Sequence, residues 1–224
     1  MDCEFLAKTI LFQGTSPQEV EAMLGCLQGE VKKYKRGEIV YHMGEHIHAM
    51  GLVLSGSVSV EHDDVWGNKS VLDKVGTGRV FAETYSCMPE EPLMLNIVAT
   101  EATEILFLNM HRVMNLCSNA CTFHRKMIHN LLSVLLQKNL RLSSRIFHTS
   151  SKSIRGRLLS YLSFEARQKE SNDFEIPFNR QQLADYLNVD RSALSNELSK
   201  MQKEGLLKME KNHFILLGID AEVF

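Results

Sequence analysis

The sequence predicts an α+β fold in three successive blocks: an N-terminal β-roll of the double-stranded jelly-roll type, a long central helix, and a C-terminal set of short helices closed by a hairpin. Three observations carry this. Residues 31 to 109 hold short runs rich in Val, Ile, Leu and Thr, punctuated by Gly37, Gly44, Gly56, Gly67, Gly76 and Gly78, the pattern of a roll or barrel. From Cys121 to Arg145 there is neither Gly nor Pro. After the polar break His148 to Ser153, two short helical patterns meet at a tight turn, followed by Gly205 and a pair of apolar runs. The expected boundaries are 1–109, 110–148 and 149–224.

Composition suits such a chain. With 224 residues, 44% of them hydrophobic and 23% charged, there is ample material for packed cores. No apolar run is long enough to span a bilayer, and Met1-Asp2-Cys3-Glu4 opens with acid where a signal peptide carries a basic flank, so the expected place is the cytoplasm and no membrane partner is expected. Five cysteines, Cys3, Cys26, Cys87, Cys117 and Cys121, are odd in number and irregularly spaced, which fits a reducing compartment better than a disulfide framework. The net charge of -2 hides a segregation. Between Glu104 and Glu165 there is no acidic residue, whereas Arg112, Arg125, Lys126, Lys138, Arg141, Arg145, Lys152, Arg155 and Arg157 all fall there. That run reads either as a phosphate-attracting face or as a solvated helix side.

In chain order, "SPQEVEAMLGCL" predicts a helix with Ser16 as N-cap and Pro17 at its first position. The strand runs follow as "EIVYHMGE", "MGLVLSGSVSVEHDD", "KSVLDKVGTG", "LNIVAT" and "TEILFLN". The central helix is expected from near Asn109 to about Arg145. Along its second half Ile128, Leu132, Leu135, Leu142 and Ile146 recur at alternating spacings of three and four, with Asn139 in the vacant step. A heptad seam with one Asn is what a two-stranded coil uses to fix register, so these six residues are the expected dimer interface. A single helix packed on its own domain is the alternative.

The C-terminal block predicts a helix "IRGRLLSYLSFEARQ", a polar connector "KESNDFEIPF", a helix "NRQQLADYL", the turn "NVD", a helix "RSALSNELSKMQKEG" and a hairpin "LLKMEKNHFILL". This is a winged helix-turn-helix. Within its second helix Leu194, Leu198 and Met201 form the buried stripe, which leaves Arg191, Ser192, Ser195, Asn196 and Ser199 facing outward. Arg and Asn are the residue types that pair bidentately with guanine and adenine edges. Arg191, Ser192 and Asn196 are the expected base readers; Gln181, Arg180, Ser195 and Lys211 complete the expected DNA contacts, those of Gln181, Ser195 and Lys211 to phosphate. A solvated helix face is the competing reading. From residue 150 onward Lys and Arg number 11 and Asp and Glu also 11, so the acids must lie away from any DNA.

The whole chain resembles the Crp/Fnr superfamily of bacterial transcription regulators. "YKRGEIVYHMGE" and "LVLSGSVSV" are similar to that family's opening strands, "VFAE" to its "FGE" turn, and "RQQLADYLNVDRSALSNELSKMQKEGLL" to its DNA-binding element. The resemblance implies a homodimer on a palindromic promoter site, contact with RNA polymerase if the protein is an activator, and a roll whose effector shifts the DNA-binding helices. In members that bind cyclic nucleotide, the Glu of the turn holds the ribose hydroxyl, here Glu83, and an Arg-Ser pair further on holds the phosphate. That pair falls on Leu93 and Met94, and no Lys or Arg occurs between Arg79 and Arg112. A phosphate desolvated there without a countercharge loses several kcal/mol. The expected pocket is therefore apolar, lined by Glu83, Leu93, Met94, Leu95, Val80, Met127 and Leu131, with no cofactor predicted and haem or a small apolar ligand as the candidates.

Other chemistries find less support in the residues. Cys117, Cys121 and His124 have helical spacing compatible with a metal or redox site, but small buried cysteines are common in cores. His42, His46 and His48 offer half of a cupin metal pattern without its downstream carboxylate, so a cupin-type metal-binding protein or enzyme stays as the alternative function and no metal site is assigned. Neither a Ser/His/Asp set, a phosphate-binding loop nor paired carboxylates is present, so no catalytic residue is assigned and the chain reads as a non-enzyme.

Overall fold

The structure, a computed structural model, describes residues 2–63, 69–115 and 122–217. The chain divides into two compact units, residues 1–136 and 137–224, with the long helix contributing to both.

The first unit opens with α1 (Cys3–Lys8), a 3-10 turn (Ile10–Phe12) and α2 (Pro17–Leu27). The start of α2 follows from its sequence: Ser16 Oγ accepts the Glu19 amide at 3.2 Å, Glu19 Oε2 accepts the Ser16 amide at 2.7 Å, and Pro17 needs no amide partner. Eight strands follow: β1 (Glu30–Tyr34), β2 (Ile39–Tyr41), β3 (Ala49–Ser55), β4 (Ser57–Asp63), β5 (Lys69–Gly76), β6 (Val80–Phe81), β7 (Asn96–Ala99) and β8 (Thr103–Asn109). They form two antiparallel sheets, ordered β1-β8-β3-β6 and β2-β7-β4-β5. A short helix α3 (Glu83–Cys87) lies between β6 and β7, and α4 (Met110–Met114) follows β8.

The inner strands β3 and β8 of the first sheet are buried on both faces, which explains why "TEILFLN" is nearly continuous in apolar residues. Leu106 and Leu108 of β8, Met50 and Leu52 of β3 and Val80 of β6 pack with Leu6, Leu11, Val20 and Leu27 of the N-terminal helices and with Met127, Leu131 and Val134. On the opposite face Ile105, Phe107, Val53 and Phe81 join Val58, Val75 and Ile97 of the second sheet to fill the roll. Tyr41 meets the Phe107 ring edge-on at 5.7 Å and donates its hydroxyl to the Ala49 carbonyl at 2.8 Å. Gly51 is required here, because a Cβ would lie 2.2 Å from the Phe81 ring. Gly56 turns β3 into β4 at φ +77, with the Ala102 carbonyl 2.5 Å from where a Cβ would be.

The helix expected from Asn109 resolves into α4, capped by Asn109 Oδ1 accepting the Arg112 amide at 3.3 Å, and α5 (Thr122–Thr149), which runs four residues past Arg145.

The second unit holds the end of α5, then α6 (Ile154–Lys169), β9 (Asp173–Glu175), α7 (Arg180–Leu187), α8 (Arg191–Lys203), β10 (Leu207–Glu210) and β11 (His213–Leu216). Leu158 and Leu162 of α6, Leu183 and Leu187 of α7, Leu194, Leu198 and Met201 of α8, and Leu207 and Phe214 of the hairpin form one core. The connector between α6 and α7 is not wholly irregular. Its Phe174 and Ile176 point inward between exposed Asp173 and Glu175, a two-residue alternation that lets β9 extend the hairpin into a sheet ordered β10-β11-β9.

Candidate nucleic-acid interface and effector pocket

The turn between α7 and α8 is built by local chemistry. Asn179 caps α7 by accepting the Gln182 amide at 2.9 Å, and Gln182 Oε1 accepts the Asn179 amide at 2.9 Å in return. Asn188 ends α7 in the left-handed region at φ 53, a conformation Asn tolerates. Two residues later Asp190 caps α8, accepting the Ala193 amide at 2.8 Å and the Ser192 hydroxyl. Those bonds hold its carboxyl below the usual range, the Ser192 hydroxyl contributing most.

Arg191, Ser192, Asn196 and Ser199 are exposed on α8, opposite the buried Leu194, Leu198 and Met201. Ser195 is half-buried and donates to the Arg191 carbonyl at 2.9 Å, so its oxygen offers lone pairs rather than a proton to an approaching group. Gln181 donates to Asp185 at 2.8 Å. Lys211 lies exposed at the hairpin tip, at φ 53. Arg180 departs from its expected place among the outward contacts. It is half-buried against the hairpin, with its guanidinium 3.3 Å from the Lys211 carbonyl and over the Phe214 ring at 5.9 Å, and burial lowers its pKa.

Several acids of this unit are engaged internally, which offsets part of the missing basic excess. Arg155 pairs with Glu197 at 2.6 Å and bidentately with Glu204 at 2.8 and 2.9 Å. Asp173 meets His213 at 2.5 Å, Asp190 caps α8, and Glu165 is buried. The acid-free run is partly consumed too. Arg145 and Arg157 spend their guanidinium groups on backbone carbonyls at the end of α7. The sequence singled out these two arginines only as members of a charged run; their acceptors come from residues 30 to 41 positions away, which no local pattern reveals.

In the roll, Glu83 is buried at the first position of α3, behind Ala82 at φ 61. Leu93 is 3% exposed and packs inside the roll with Ile47, Phe81 and Phe107. Its backbone is pinned as well: the Leu93 amide donates to the Glu45 carbonyl at 2.9 Å and the Gly44 amide to the Leu93 carbonyl at 2.7 Å. Met94 is 68% exposed and Leu95 half-buried. Val80, Met127 and Leu131 belong to the core on the other face of the first sheet. The expected lining is therefore split. Neighbours along a strand point to opposite faces, so Val80 goes to the helices while Phe81 goes to Leu93 inside the roll. A cavity of about 430 Å³ lies elsewhere on this unit, beside α3 and α4, with His48, Cys87, Met110, His111 and Met114 among its walls.

His46 Nδ1 lies 2.9 Å from the Pro89 carbonyl, and among the described residues no three His, Cys, Asp or Glu side chains are grouped to hold a metal ion. His124 is buried; Cys117 and Cys121 lie outside the described residues.

On α5, Met127, Leu131 and Val134 face their own unit, whereas Leu132, Leu142 and Ile146 of the heptad seam are exposed, the last two at 62% and 69%. Asn139 is exposed between them, and Ile128 and Leu135 are half-buried, Leu135 against the core of the first unit. Among the described residues no helix is long and apolar enough to cross a membrane.

Comparison with known proteins agrees with both units. Residues 31–120 match the cyclic nucleotide-binding domain and residues 156–221 the Crp-like helix-turn-helix domain. The chain is 26% identical to the cyclic AMP receptor protein of Thermus thermophilus over 199 residues, 89% of this chain and 88% of that protein. Among solved structures, the catabolite activator protein of Thermus thermophilus aligns with a TM-score of 0.52 at 24% identity, covering 96% of each chain. CprK complexed with OCPA aligns with a TM-score of 0.63 at 16% identity, covering 91% of this chain and 94% of that one. Neither match favours the cupin alternative. With a roll of the cyclic nucleotide-binding type followed by a Crp-like helix-turn-helix, the chain belongs to the Crp/Fnr superfamily and is a DNA-binding transcription regulator.

Proposed function

We propose that this regulator works as a cytoplasmic, non-enzymatic homodimer that reads a two-fold symmetric promoter site, and that its roll answers to an effector other than a cyclic nucleotide. The observation that carries the effector reading is Leu93. The position where the family resemblance calls for a phosphate-holding Arg is a leucine buried in the roll's own core. A nucleotide phosphate seated there would exchange its hydration for apolar side chains, a loss of several kcal/mol. An uncharged apolar molecule or haem is the remaining ligand class. The exposed Leu132, Leu142 and Ile146 support the dimer, since one apolar seam on each of two helices is buried when they pair. Exposed Arg191, Ser192 and Asn196 on α8 support base readout, with Lys211 at the hairpin tip on phosphate. An activator of this design would contact RNA polymerase while bound at its site.

Calorimetric titration of the protein with cyclic AMP and cyclic GMP tests the effector reading. No saturable binding is expected. Micromolar binding of either nucleotide by the natural chain would overturn it. Leu93→Arg with Met94→Ser is expected to gain nucleotide affinity if these positions are where selectivity was rewritten.

A further inference from the structure

An α-helix leaves its last four carbonyls without partners inside the helix, and its carboxyl end carries partial negative charge. At the end of α7 the Ala184 carbonyl accepts the Val189 amide at 3.0 Å and the Asp185 carbonyl accepts the Asn188 amide at 3.3 Å, while the carbonyls of Asp185, Tyr186, Leu187 and the cap Asn188 are covered by two arginines from outside the helix-turn-helix. Arg145, in the last turns of α5, donates to the Asp185 carbonyl at 2.9 Å and the Tyr186 carbonyl at 3.1 Å. Arg157, in the first turn of α6, donates to the Leu187 carbonyl at 3.0 Å and the Asn188 carbonyl at 2.8 Å. Four consecutive carbonyls thus end on two guanidinium forks. The Arg157 fork also binds the Ser151 carbonyl at 2.8 Å, tying in the loop between α5 and α6. Tyr186 adds a further hold on the α5 side. Its ring lies 5.8 Å from the Arg145 guanidinium and its hydroxyl 3.0 Å from Nδ1 of buried His148.

The position of this grip gives it consequence. Asn188 is followed by Val189 and then by Asp190, so the clamped carbonyls end two residues before the cap of the helix proposed to read DNA. Bonds from a charged donor are stronger than neutral ones, and a planar fork fixes direction as well as distance. We propose that Arg145 and Arg157 are positioning residues for DNA reading: a two-armed clamp that sets where the α7–α8 turn presents α8. The end of α5 thereby moves the turn when it moves itself. The inference rests on α8 being the reading helix.

The alternative role for a basic residue in this unit is direct contact with phosphate. The two roles differ in what they do to specificity. Losing a phosphate contact weakens all duplexes alike and lowers the salt dependence of binding, whereas a misplaced reading helix loses the specific site and keeps random DNA.

The test uses the full chain, a duplex selected from a random pool by the wild-type protein, and an unselected duplex of equal length. Arg145→Lys keeps the charge and removes the fork. It is expected to lower affinity for the selected duplex about tenfold, the scale of one charge-assisted bond, while affinity for the unselected duplex and the salt slope stay as in the wild type. Unchanged affinity for the selected duplex overturns the clamp. Equal loss on both duplexes with a shallower salt slope also overturns it, and makes Arg145 a phosphate ligand. Should Arg145→Lys fail to fold by circular dichroism, Arg157→Lys, which leaves the α5 arm in place, carries the same comparison. A wild-type chain that selects no sequence, or Arg191→Ala that leaves selection intact, removes the reading helix itself and the clamp's purpose with it. A clamp failure on its own appears only in the arginine-to-lysine variants.

Discussion

At single positions, burial decides what charge can do. Leu93 shows it from the apolar side: its backbone is bonded to Gly44 and Glu45 and its side chain completes the roll core, so the position stabilises the roll and offers nothing to an anion. The substitution itself was plain in the sequence. The direction of the side chain was not, because Leu93 turns inward while the adjacent Met94 is exposed, and no repeating pattern spans that loop. His148 shows it from the polar side. It is 1% exposed, with Nε2 buried without a partner, and burial lowers its pKa. The groups facing it or nearby are Arg145 on its own helix, Tyr161 and Glu165 on α6, and Tyr186 on α7. The native state therefore binds fewer protons at this site than the unfolded chain, so its contribution to stability is present above about pH 6.5 and is lost as pH falls below it. Glu165, raised chiefly by burial, works in the opposite sense. Denaturant unfolding of wild type and His148→Asn at about pH 7.5 and 5.5 separates the two. The wild type should lose more stability on acidification than the variant. Equal losses would remove His148 from the acid response.

Elements were legible where one periodicity governs a run and less so where contacts made far along the chain take over. The cap of α2, the strands β3, β4, β5, β7 and β8, and the α7–α8 turn all follow from local residues. Strand β9 was hidden in a polar connector, since three residues with one inward Phe form a strand only when β11 supplies the ladder. The carboxyl end of α7 was hidden for the same reason. At the junction that feeds it, Gly156 at the start of α6 comes so close to Ser151 that a Cβ would lie 2.0 Å from its Oγ and 2.9 Å from its Cβ. Gly156→Ala must displace Ser151, whose carbonyl holds the Arg157 fork. A cost of about 1 to 3 kcal/mol is expected, measured by denaturant unfolding, with recovery in the Gly156→Ala, Ser151→Gly double variant. Wild-type stability in Gly156→Ala would show that the junction tolerates the shift.

For the whole molecule the open face of α5 is the defining feature. Periodicity in the sequence placed Ile128, Leu132, Leu135, Asn139, Leu142 and Ile146 on one seam, and in the structure that seam turns from half-buried at its start to exposed at its end. Leu135 also packs on the first unit, so a charge there would disturb folding and pairing together. Leu142 avoids this ambiguity. Leu142→Glu is expected to sediment as a folded monomer and to lose tight binding to a two-half-site duplex, because one winged helix engages one half-site. A Leu142→Glu chain that stays dimeric would place the dimer interface elsewhere.

Both units enter the proposed function, in which the regulator reads symmetric DNA and its roll does not answer to cyclic nucleotide. Fluorescence anisotropy of a duplex selected from random sequence, titrated with the natural protein in the absence and presence of saturating cyclic AMP or cyclic GMP, addresses both parts at once. The expected result is a selected site with two inverted halves, bound tightly without nucleotide and with the same affinity when either nucleotide is added. Binding that appears only with a cyclic nucleotide, or selection that yields no symmetric site, would contradict it.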